Sequence, residues 1–394
     1  MLNIIIPLAG TGSRFLQEGY LRPKPFVKAL GKELVLWLLE HLTLRSTDAI
    51  VIVFNKNPDI GPSPAQYYRI VDEYMSTLGT LKPEIIYVTL DKPTSGAAET
   101  ALHGIEALPP ERLDLPAVLL DGDTFYTADV LGIAREKLRS ATSKNVFPDG
   151  CLFVFDDDKP TESQYSYVNM DGDSDTVTKI MEKDKTGMSP FACCGCYCFR
   201  VTQALQMEIS SALEVHQSEN PGFKRVKQEL YTSSIVARML KAGCNFIACK
   251  LNSSEFTILG TPSQLRTFIV SSKRQIVKRF CFDLDNTLVT SPSIHGDYAS
   301  CRPIESVIQY VQTLHASGHY IIIHTARRMR THGGNVGCVV ADVGALTIQQ
   351  LKHFCIPYHE LVFGKPFADF YIDDRSVSAF VDELHKETGF IFEK

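Results

Sequence analysis

The stretch FCFDLDNTLV, residues 280–289, decides how the last third of the chain is organised. Its apolar run breaks at Asp283 and Asp285 and resumes after Thr287. Two carboxylates at the end of a buried strand are costly unless a partner neutralises them. A divalent cation and a phosphate would do so. The alternative is a strand end followed by a simple Asx or Ser/Thr turn.

Strands and helices alternate after this stretch. Helical spacing predicts helices over Ile304–Leu314 and Thr347–Cys355, and apolar runs predict strands at His319–His324, Glu360–Phe363 and Phe370–Ile372. This alternation predicts a small parallel sheet wound on both faces. The carboxyl ends of its strands share one edge, where ligands bind. The side chains expected there are Asp283, Asp285, Thr325, Lys365, Asp373 and Asp374.

These motifs, in this order over about residues 279–394, resemble the haloacid dehalogenase (HAD) superfamily of phosphatases. The segments TARRM (325–329), GNVG (334–337), FGKP (363–366) and YIDD (371–374) are similar to a subfamily associated with capsule biosynthesis. The resemblance implies a capless HAD-like Rossmannoid domain, because few residues separate the first motif from Ile304. Arg327 and Arg328 either bind a second anionic group of the substrate or are surface charges.

The resemblance also implies a role for each residue at the edge of this sheet. Asp283 is the nucleophile that forms an aspartyl-phosphate, and Asp285 protonates the leaving alcohol and then activates water. Thr325 holds the phosphoryl oxygens, and Lys365 neutralises charge. The implied Mg²⁺ ligands are Asp283, Asp285, Asp373, Asp374 and the Leu284 carbonyl.

The N-terminal part begins with an apolar run, Leu2–Leu8, which predicts a strand buried on both faces. A turn with Gly10, Gly12 and Arg14 follows, and such turns let backbone N–H groups approach phosphates. The spacing is neither G-x-G-x-x-G nor a Walker A sequence, so a tight turn remains the alternative. Two prolines then hold Lys24 in an extended loop, where it is either positioned for an anion or solvated.

Asp121 and Asp123 follow a predicted strand, Ala117–Leu120, and can meet Mg²⁺ together with phosphate oxygens. A turn is the alternative here. Eight segments resemble, in order over about the first 270 residues, the sugar-phosphate nucleotidyltransferase family. They are LAGTGSRF (8–15), RPKPF (22–26), LGKELVLWLLEHL (30–42), TSGAAET (94–100), AVLLDGDTF (117–125), KIMEK (179–183), ACCGCYCF (192–199) and LGTPSQL (259–265).

This resemblance implies a GT-A-like, Rossmann-like mixed sheet. It also implies transfer of a nucleotidyl group from an NTP to a phosphorylated sugar or polyol. CTP is favoured because the motifs are similar to cytidylyltransferases, while GTP, UTP and dTTP stay open. The implied nucleotide-binding residues are Leu8, Ala9, Gly10, Gly12, Arg14, Lys24, Gly96, Ala97 and Asp121. Arg14 and Lys24 are also catalytic, Lys183 contacts the acceptor phosphate, and Asp123 binds Mg²⁺.

One position departs from the family pattern. Many members have a second metal-binding aspartate two residues before the final Gly-Thr-Pro, and Ile258 stands there in this chain. The nearest acid is Glu255. Either Glu255 or another acid replaces the missing ligand, or the site lacks it.

Composition excludes several function classes. A net charge of −5 over 394 residues argues against nucleic-acid and anionic-membrane partners. The first apolar run is short and lacks a basic segment before it, and the eleven cysteines then indicate reduced thiols in the cytoplasm. The cluster Cys193, Cys194, Cys196 and Cys198 is interpreted as core packing, with zinc binding as the alternative.

The sequence therefore predicts two doubly wound α/β domains, residues 1–272 and 273–394, joined at the polar segment 271–275. We expect a bifunctional cytoplasmic enzyme whose two reactions lead towards an activated glycan or capsule precursor. A homo-oligomeric state stays open. The order of the two reactions stays open. The alternatives are a phosphatase with a non-catalytic nucleotide-binding domain and a non-catalytic sensor of phosphorylated metabolites.

Overall fold

The structure, a computed structural model, describes residues 1–56, 64–141, 146–157, 164–171, 174–184, 186–219, 229–272, 277–373 and 375–390. It divides into two compact units. The first comprises Met1–Val27 and Lys32–Leu265, and the second comprises Lys28–Gly31 and Arg266–Lys394. The boundary after Leu265 lies within a helix, Pro262–Ser271, whereas the sequence places it at the polar segment that follows.

The strands are β1 (Asn3–Leu8), β2 (Lys28–Ala29), β3 (Lys32–Glu33), β4 (Ala49–Asn55), β5 (Glu84–Leu90), β6 (Ala117–Leu120), β7 (Thr124–Tyr126), β8 (Gly150–Asp156), β9 (Ser166–Met170), β10 (Val177–Glu182), β11 (Phe191–Phe199), β12 (Phe246–Lys250), β13 (Phe256–Ile258), β14 (Arg279–Phe282), β15 (Tyr320–Thr325) and β16 (Glu360–Phe363). The α-helices are α1 (Ser13–Gln17), α2 (Leu34–Glu40), α3 (Pro64–Ser76), α4 (Ala97–Glu106), α5 (Val130–Lys137), α6 (Thr202–Glu219), α7 (Thr232–Lys241), α8 (Pro262–Ser271), α9 (Glu305–Ala316), α10 (Val336–Val339), α11 (Ala345–His353) and α12 (Val381–Thr388). Short 3₁₀ turns cover Lys24–Phe26, Gly79–Leu81, Pro110–Arg112 and Tyr298–Ser300, and a π-helical turn, Val340–Gly344, joins α10 to α11.

A mixed sheet forms the centre of the first unit. Its described strands run in the order β10-β9-β11-β6-β1-β4-β5, and β8 pairs with both β11 and β12. β1 is parallel to β4 and β6, and β11 is antiparallel to β6. The isoleucines of β1 are fully buried, as predicted for a strand covered on both faces. The prediction of a mixed α/β fold is therefore confirmed for this unit.

The sheet brings two loops to one edge. β1 and β6 are parallel neighbours, so the glycine-rich turn after β1 and the acidic turn after β6 lie side by side. α4 packs closely on β1 and β4, where a Cβ atom on Gly104 would lie 2.9 Å from the side chain of Val53. In β11, the thiols of Cys196 and Cys198 lie 4.0 Å apart within the core.

The second unit contains a parallel sheet in the order β14-β15-β16. The predicted helices are present with small shifts of their ends. The strands predicted before Asp283, at His319–His324 and at Glu360–Phe363 are also present, as β14, β15 and β16. The predicted strand Phe370–Ile372 is wrong, because Phe370 is 83% and Ile372 is 98% exposed and no strand forms there. Strand propensity depends on context, and this short run has no partner strand among the described residues. The doubly wound arrangement predicted for this unit is not shown by the three strands.

Within the described ranges, no helix combines the length and the apolar character needed to cross a bilayer.

Candidate active sites

The carboxyl ends of β1 and β6 border a cleft of about 330 Å³ in the first unit. The lining includes eight of the predicted residues: Leu8, Gly10, Gly12, Arg14, Lys24, Ala97, Asp121 and Asp123. Thr11, Ser13, Glu229 and Gly260 also line it, and sequence reasoning did not find them. Glu229 precedes Leu230, whose backbone packs against Gly96, and no local sequence pattern indicates this contact.

Lys24 points into this cleft from a 3₁₀ turn that begins after Pro23. Its Nζ forms an ion pair with Asp123 Oδ2, and its side chain is 25% exposed. Gly12 has a left-handed φ of +60°, and a Cβ atom there would lie 3.1 Å from Lys24 Cβ. The glycine thus allows the lysine loop and the glycine-rich turn to approach each other. Of the two alternatives for Lys24, the structure contradicts a freely solvated side chain.

The two carboxylates after β6 differ in their pKa values. Burial and then the charge of Asp123 raise the pKa of Asp121 to about 7. Burial alone would also raise the pKa of Asp123, but the charge and hydrogen bond of Lys24 lower it. Gly195 makes room for Asp121, because a Cβ atom there would lie 2.6 Å from Oδ2. A buried carboxylate pair with an unfavourable mutual charge fits a divalent cation, which takes carboxylate and phosphate oxygens.

Glu255 does not replace the aspartate that Ile258 displaces. In the ladder of β13 and β7, Ile258 pairs with Thr124 next to Asp123, whereas Glu255 lies beyond the opposite end. The Glu255 carboxylate accepts hydrogen bonds from Asn252 at 2.7 and 2.9 Å. The strand register therefore separates Glu255 from the cleft. The carboxylate next to Asp123 in the lining of the cleft is that of Asp121.

The remaining predicted residues of this unit lie around the cleft. Ala9 is buried beside the lining residue Leu8. Gly96 precedes α4 and packs against the backbone of Leu230. Lys183 does not line the cleft, and its Nζ donates a hydrogen bond of 2.6 Å to the hydroxyl of Tyr231.

The second unit brings four predicted residues to the carboxyl ends of β14, β15 and β16. Lys365 Nζ donates to Asp283 Oδ2 at 2.7 Å, and the Leu284 N–H donates to Oδ1 at 2.8 Å. Thr325 is fully buried, and its Oγ1 accepts the Arg327 N–H at 3.1 Å. The threonine hydroxyl still has a proton to donate to another acceptor.

Asp285, the fourth of these residues, is held by Arg327. Nε donates to both carboxylate oxygens at 3.0 Å, and Nη2 donates to Oδ1 at 2.9 Å. Burial raises the pKa of Asp285, against the lowering effect of Arg327. The prediction that Arg327 is a surface charge or a substrate-binding residue is wrong, because its side chain is fully buried. Arg328 instead donates to the Gly296 carbonyl at 2.8 Å.

The predicted metal ligands of this unit are not assembled. Asp373 is exposed, and its Oδ1 accepts the Arg375 N–H at 2.7 Å. The Leu284 carbonyl already accepts the N–H groups of Leu288 and Val289, at 2.9 and 3.0 Å. Asp374 lies outside the described residues. In the ranges that the structure covers, in both units, no three acidic, histidine or cysteine side chains group to hold a metal. Because Asp373 is exposed and the Leu284 carbonyl already accepts backbone N–H groups, this unit does not fit Mg²⁺ as predicted, and we derive no step through it.

Solved structures resemble the chain over about two thirds of its length. A nucleoside-diphosphate-sugar pyrophosphorylase from Vibrio cholerae RC9 is 22% identical, with a TM-score of 0.55 over 68% of this chain and 100% of that chain. The chain shares the fold of that pyrophosphorylase. An inositol-1-phosphate CTP transferase from T. maritima is 16% identical, with a TM-score of 0.45 over 67% of this chain and 90% of that chain. No protein-family model and no curated protein matches the chain.

Proposed function

We propose that residues 1–272 form a nucleotidyltransferase that transfers the nucleotidyl group of an NTP to a phosphorylated sugar or polyol and releases pyrophosphate. The observation that carries this proposal is the ion pair of Lys24 and Asp123, beside Asp121, in a cleft lined by glycines. The fold shared with a solved pyrophosphorylase supports it. Such a site combines cationic side chains, open backbone and a pair of neighbouring carboxylates, which suits a metal-bound triphosphate.

The residues of the cleft divide the work of in-line transfer. The backbone at Gly10 and Gly12, with Arg14, holds the triphosphate, and Lys24 neutralises the reacting phosphates. An oxygen of the acceptor phosphate bonds to the α-phosphorus, the bond from that phosphorus to the bridging oxygen breaks, and pyrophosphate leaves. Mg²⁺, when bound by Asp121 and Asp123, supplies further charge neutralisation. Lys183, which lies outside the lining of the cleft and donates to Tyr231, is proposed to contact the acceptor phosphate.

Pyrophosphate release tests this proposal. The full chain is incubated with Mg²⁺, each of CTP, GTP, UTP and dTTP, and a panel of sugar and polyol phosphates. We expect turnover with one nucleotide, CTP being favoured, and a Lys24→Met variant that is slower by about 10²- to 10³-fold while a Lys82→Met variant keeps its rate. Lys82 is the matched control because it lies on the surface, outside the cleft. No turnover with any pair would favour a non-catalytic nucleotide-binding unit.

We propose further that residues 273–394 hydrolyse a phosphomonoester. The contact of Asp283 with Lys365, beside Thr325 and Asp285, carries this proposal. An Asp283 oxygen bonds to phosphorus, the bond from phosphorus to the ester oxygen breaks, and Asp285 gives its proton to that oxygen. Water then attacks the aspartyl-phosphate and gives a proton to Asp285, which releases phosphate and restores Asp283.

Phosphate release tests the second activity. Asp283→Asn is expected to abolish it, and Asp382→Asn is the matched control because Asp382 is exposed on α12. Release that survives Asp283→Asn would refute the nucleophile. Joining both activities in one chain suggests consecutive steps towards an activated glycan or capsule precursor. A sensor without catalysis would show neither product.

A further inference from the structure

Arg327 is among the largest fully buried side chains of the described residues. Besides Asp285, its guanidinium contacts two side chains of α11. Nη2 donates to Gln350 Oε1 at 2.7 Å, and Nη1 donates to Thr347 Oγ1 at 3.2 Å. A buried guanidinium is costly unless its charge and its N–H groups are satisfied together. The site therefore has a built internal counter-ion for Asp285.

The contacts of Arg327 continue into the turn Tyr298–Ser300. Gln350 Nε2 donates to the Tyr298 carbonyl at 2.9 Å, and the guanidinium lies 4.8 Å from the centre of the Tyr298 ring. Thr347 Oγ1 donates to the Val343 carbonyl at 2.8 Å. Two separate elements thus fix the guanidinium, and the guanidinium fixes the carboxyl group.

The two oxygens of Asp285 are used unequally. Oδ1 accepts from both Nε and Nη2 of Arg327, whereas Oδ2 accepts from Nε alone. The Asp285 side chain is 24% exposed, and that of Arg327 is not exposed. Substrate can therefore meet Asp285 and cannot meet Arg327.

We propose that Arg327 is a positioning residue that holds Asp285 for proton transfer to the leaving oxygen of the substrate. This inference rests on the phosphatase activity proposed above. Asp285 gives its proton to the leaving oxygen in the first step and takes one from water in the second, and only the first step differs from one ester to another. The ratio kcat/KM reports that first step. An alkoxide leaving group needs that proton, whereas p-nitrophenolate departs without it. The effect of Arg327 is therefore selective for alkyl phosphates.

The experiment compares kcat and KM for p-nitrophenyl phosphate and glycerol 3-phosphate. The variants Arg327→Met and Arg327→Lys are measured beside Arg279→Met. Arg279 is the matched control because it forms an exposed ion pair with Glu360. A positioned general acid contributes about 10²- to 10⁴-fold, so we expect a loss of that size in kcat/KM for glycerol 3-phosphate with Arg327→Met. The loss for p-nitrophenyl phosphate is expected to stay below about tenfold, because this ester needs no proton in the same step.

Arg327→Lys keeps the charge without the planar fork and should restore part of the activity. The double variant Asp285→Asn/Arg327→Met should be no slower than Asp285→Asn on glycerol 3-phosphate, because Arg327 acts through Asp285. Equal losses on both esters, or additive losses in the double variant, would overturn the inference.

Removing Arg327 leaves Asp285 unpaired, so folding is checked by circular dichroism. Gln350→Met keeps both charges and removes one hydrogen bond of Arg327, together with the one to the Tyr298 carbonyl, and it should show a smaller loss with the same selectivity. If Arg327→Met does not fold, an unselective Gln350→Met variant refutes the inference. A wild-type chain that releases no phosphate from either ester would instead refute the phosphatase itself.

Discussion

Gly96→Ala is expected to destabilise the first unit by about 2–6 kcal/mol. Gly96 has φ +150° and ψ −174°, a region that essentially only glycine adopts. A Cβ atom there would lie 2.6, 2.7 and 2.9 Å from the O, N and C atoms of Leu230. Two backbone hydrogen bonds hold Leu230 in place: its N–H donates to the Ser95 carbonyl at 2.8 Å, and its own carbonyl accepts the Ala98 N–H at 3.1 Å. Backbone strain and overpacking each contribute about 1–3 kcal/mol.

Urea unfolding followed by tryptophan fluorescence measures this cost. The chain has one tryptophan, Trp37, which is buried in the first unit, so the signal reports on that unit. Gly79→Ala is the control, because Gly79 has φ +56° with nothing within 4 Å of its added Cβ. It should cost about 1–2 kcal/mol, from strain alone. The reasoning is refuted if Gly96→Ala costs no more than Gly79→Ala.

Three further changes probe the cleft. Gly10→Ala has open space for its Cβ, so its urea midpoint should match wild type while its NTP affinity falls, as measured by calorimetry; an unchanged affinity would remove Gly10 from the triphosphate site. Lys24→Met should lower kcat for pyrophosphate release by about 10²- to 10³-fold, because one preorganised charge contact is lost, and a loss below tenfold would contradict this role. The pKa of Asp121 is raised to about 7 by burial and by Asp123, above its unfolded value of about 3.9, so its stabilising effect is complete below about pH 3.9 and is lost as pH rises from there through 7. Asp121→Asn should therefore have a higher urea midpoint than wild type at pH 8, and this advantage should shrink steadily as pH is lowered towards about 4; a difference independent of pH would refute the assignment.

Local sequence patterns predicted much of the fold and many of the residues at the carboxyl ends of the strands in both units. The apolar runs before the Gly-rich turn and before Asp121 form parallel neighbours, so motifs more than a hundred residues apart share one cleft. Glu229 was missed because its position depends on the packing of Leu230 against Gly96. The position of Glu255 depends on the register of a short ladder, which the sequence does not specify.

The second unit shows the same limits. The turn after β15 carries two arginines, and no periodicity in a turn reveals that Arg327 is buried while Arg328 lies nearer the surface. The run Phe370–Ile372 has the composition of a strand, yet its side chains are exposed. The composition of a segment shows how well its side chains suit a half-buried sheet, and it does not show whether a partner strand is present.

Two separate active sites are tested most directly by mass spectrometry of products from the full chain, Asp123→Asn and Asp283→Asn. Each protein is given Mg²⁺, the active NTP with its phosphorylated acceptor, and in parallel a phosphomonoester. Asp123→Asn should lose the nucleotide-linked product and pyrophosphate while it keeps phosphate release. Asp283→Asn should show the reverse. The assignment would be contradicted if either folded variant lost both activities, or if both variants kept both activities.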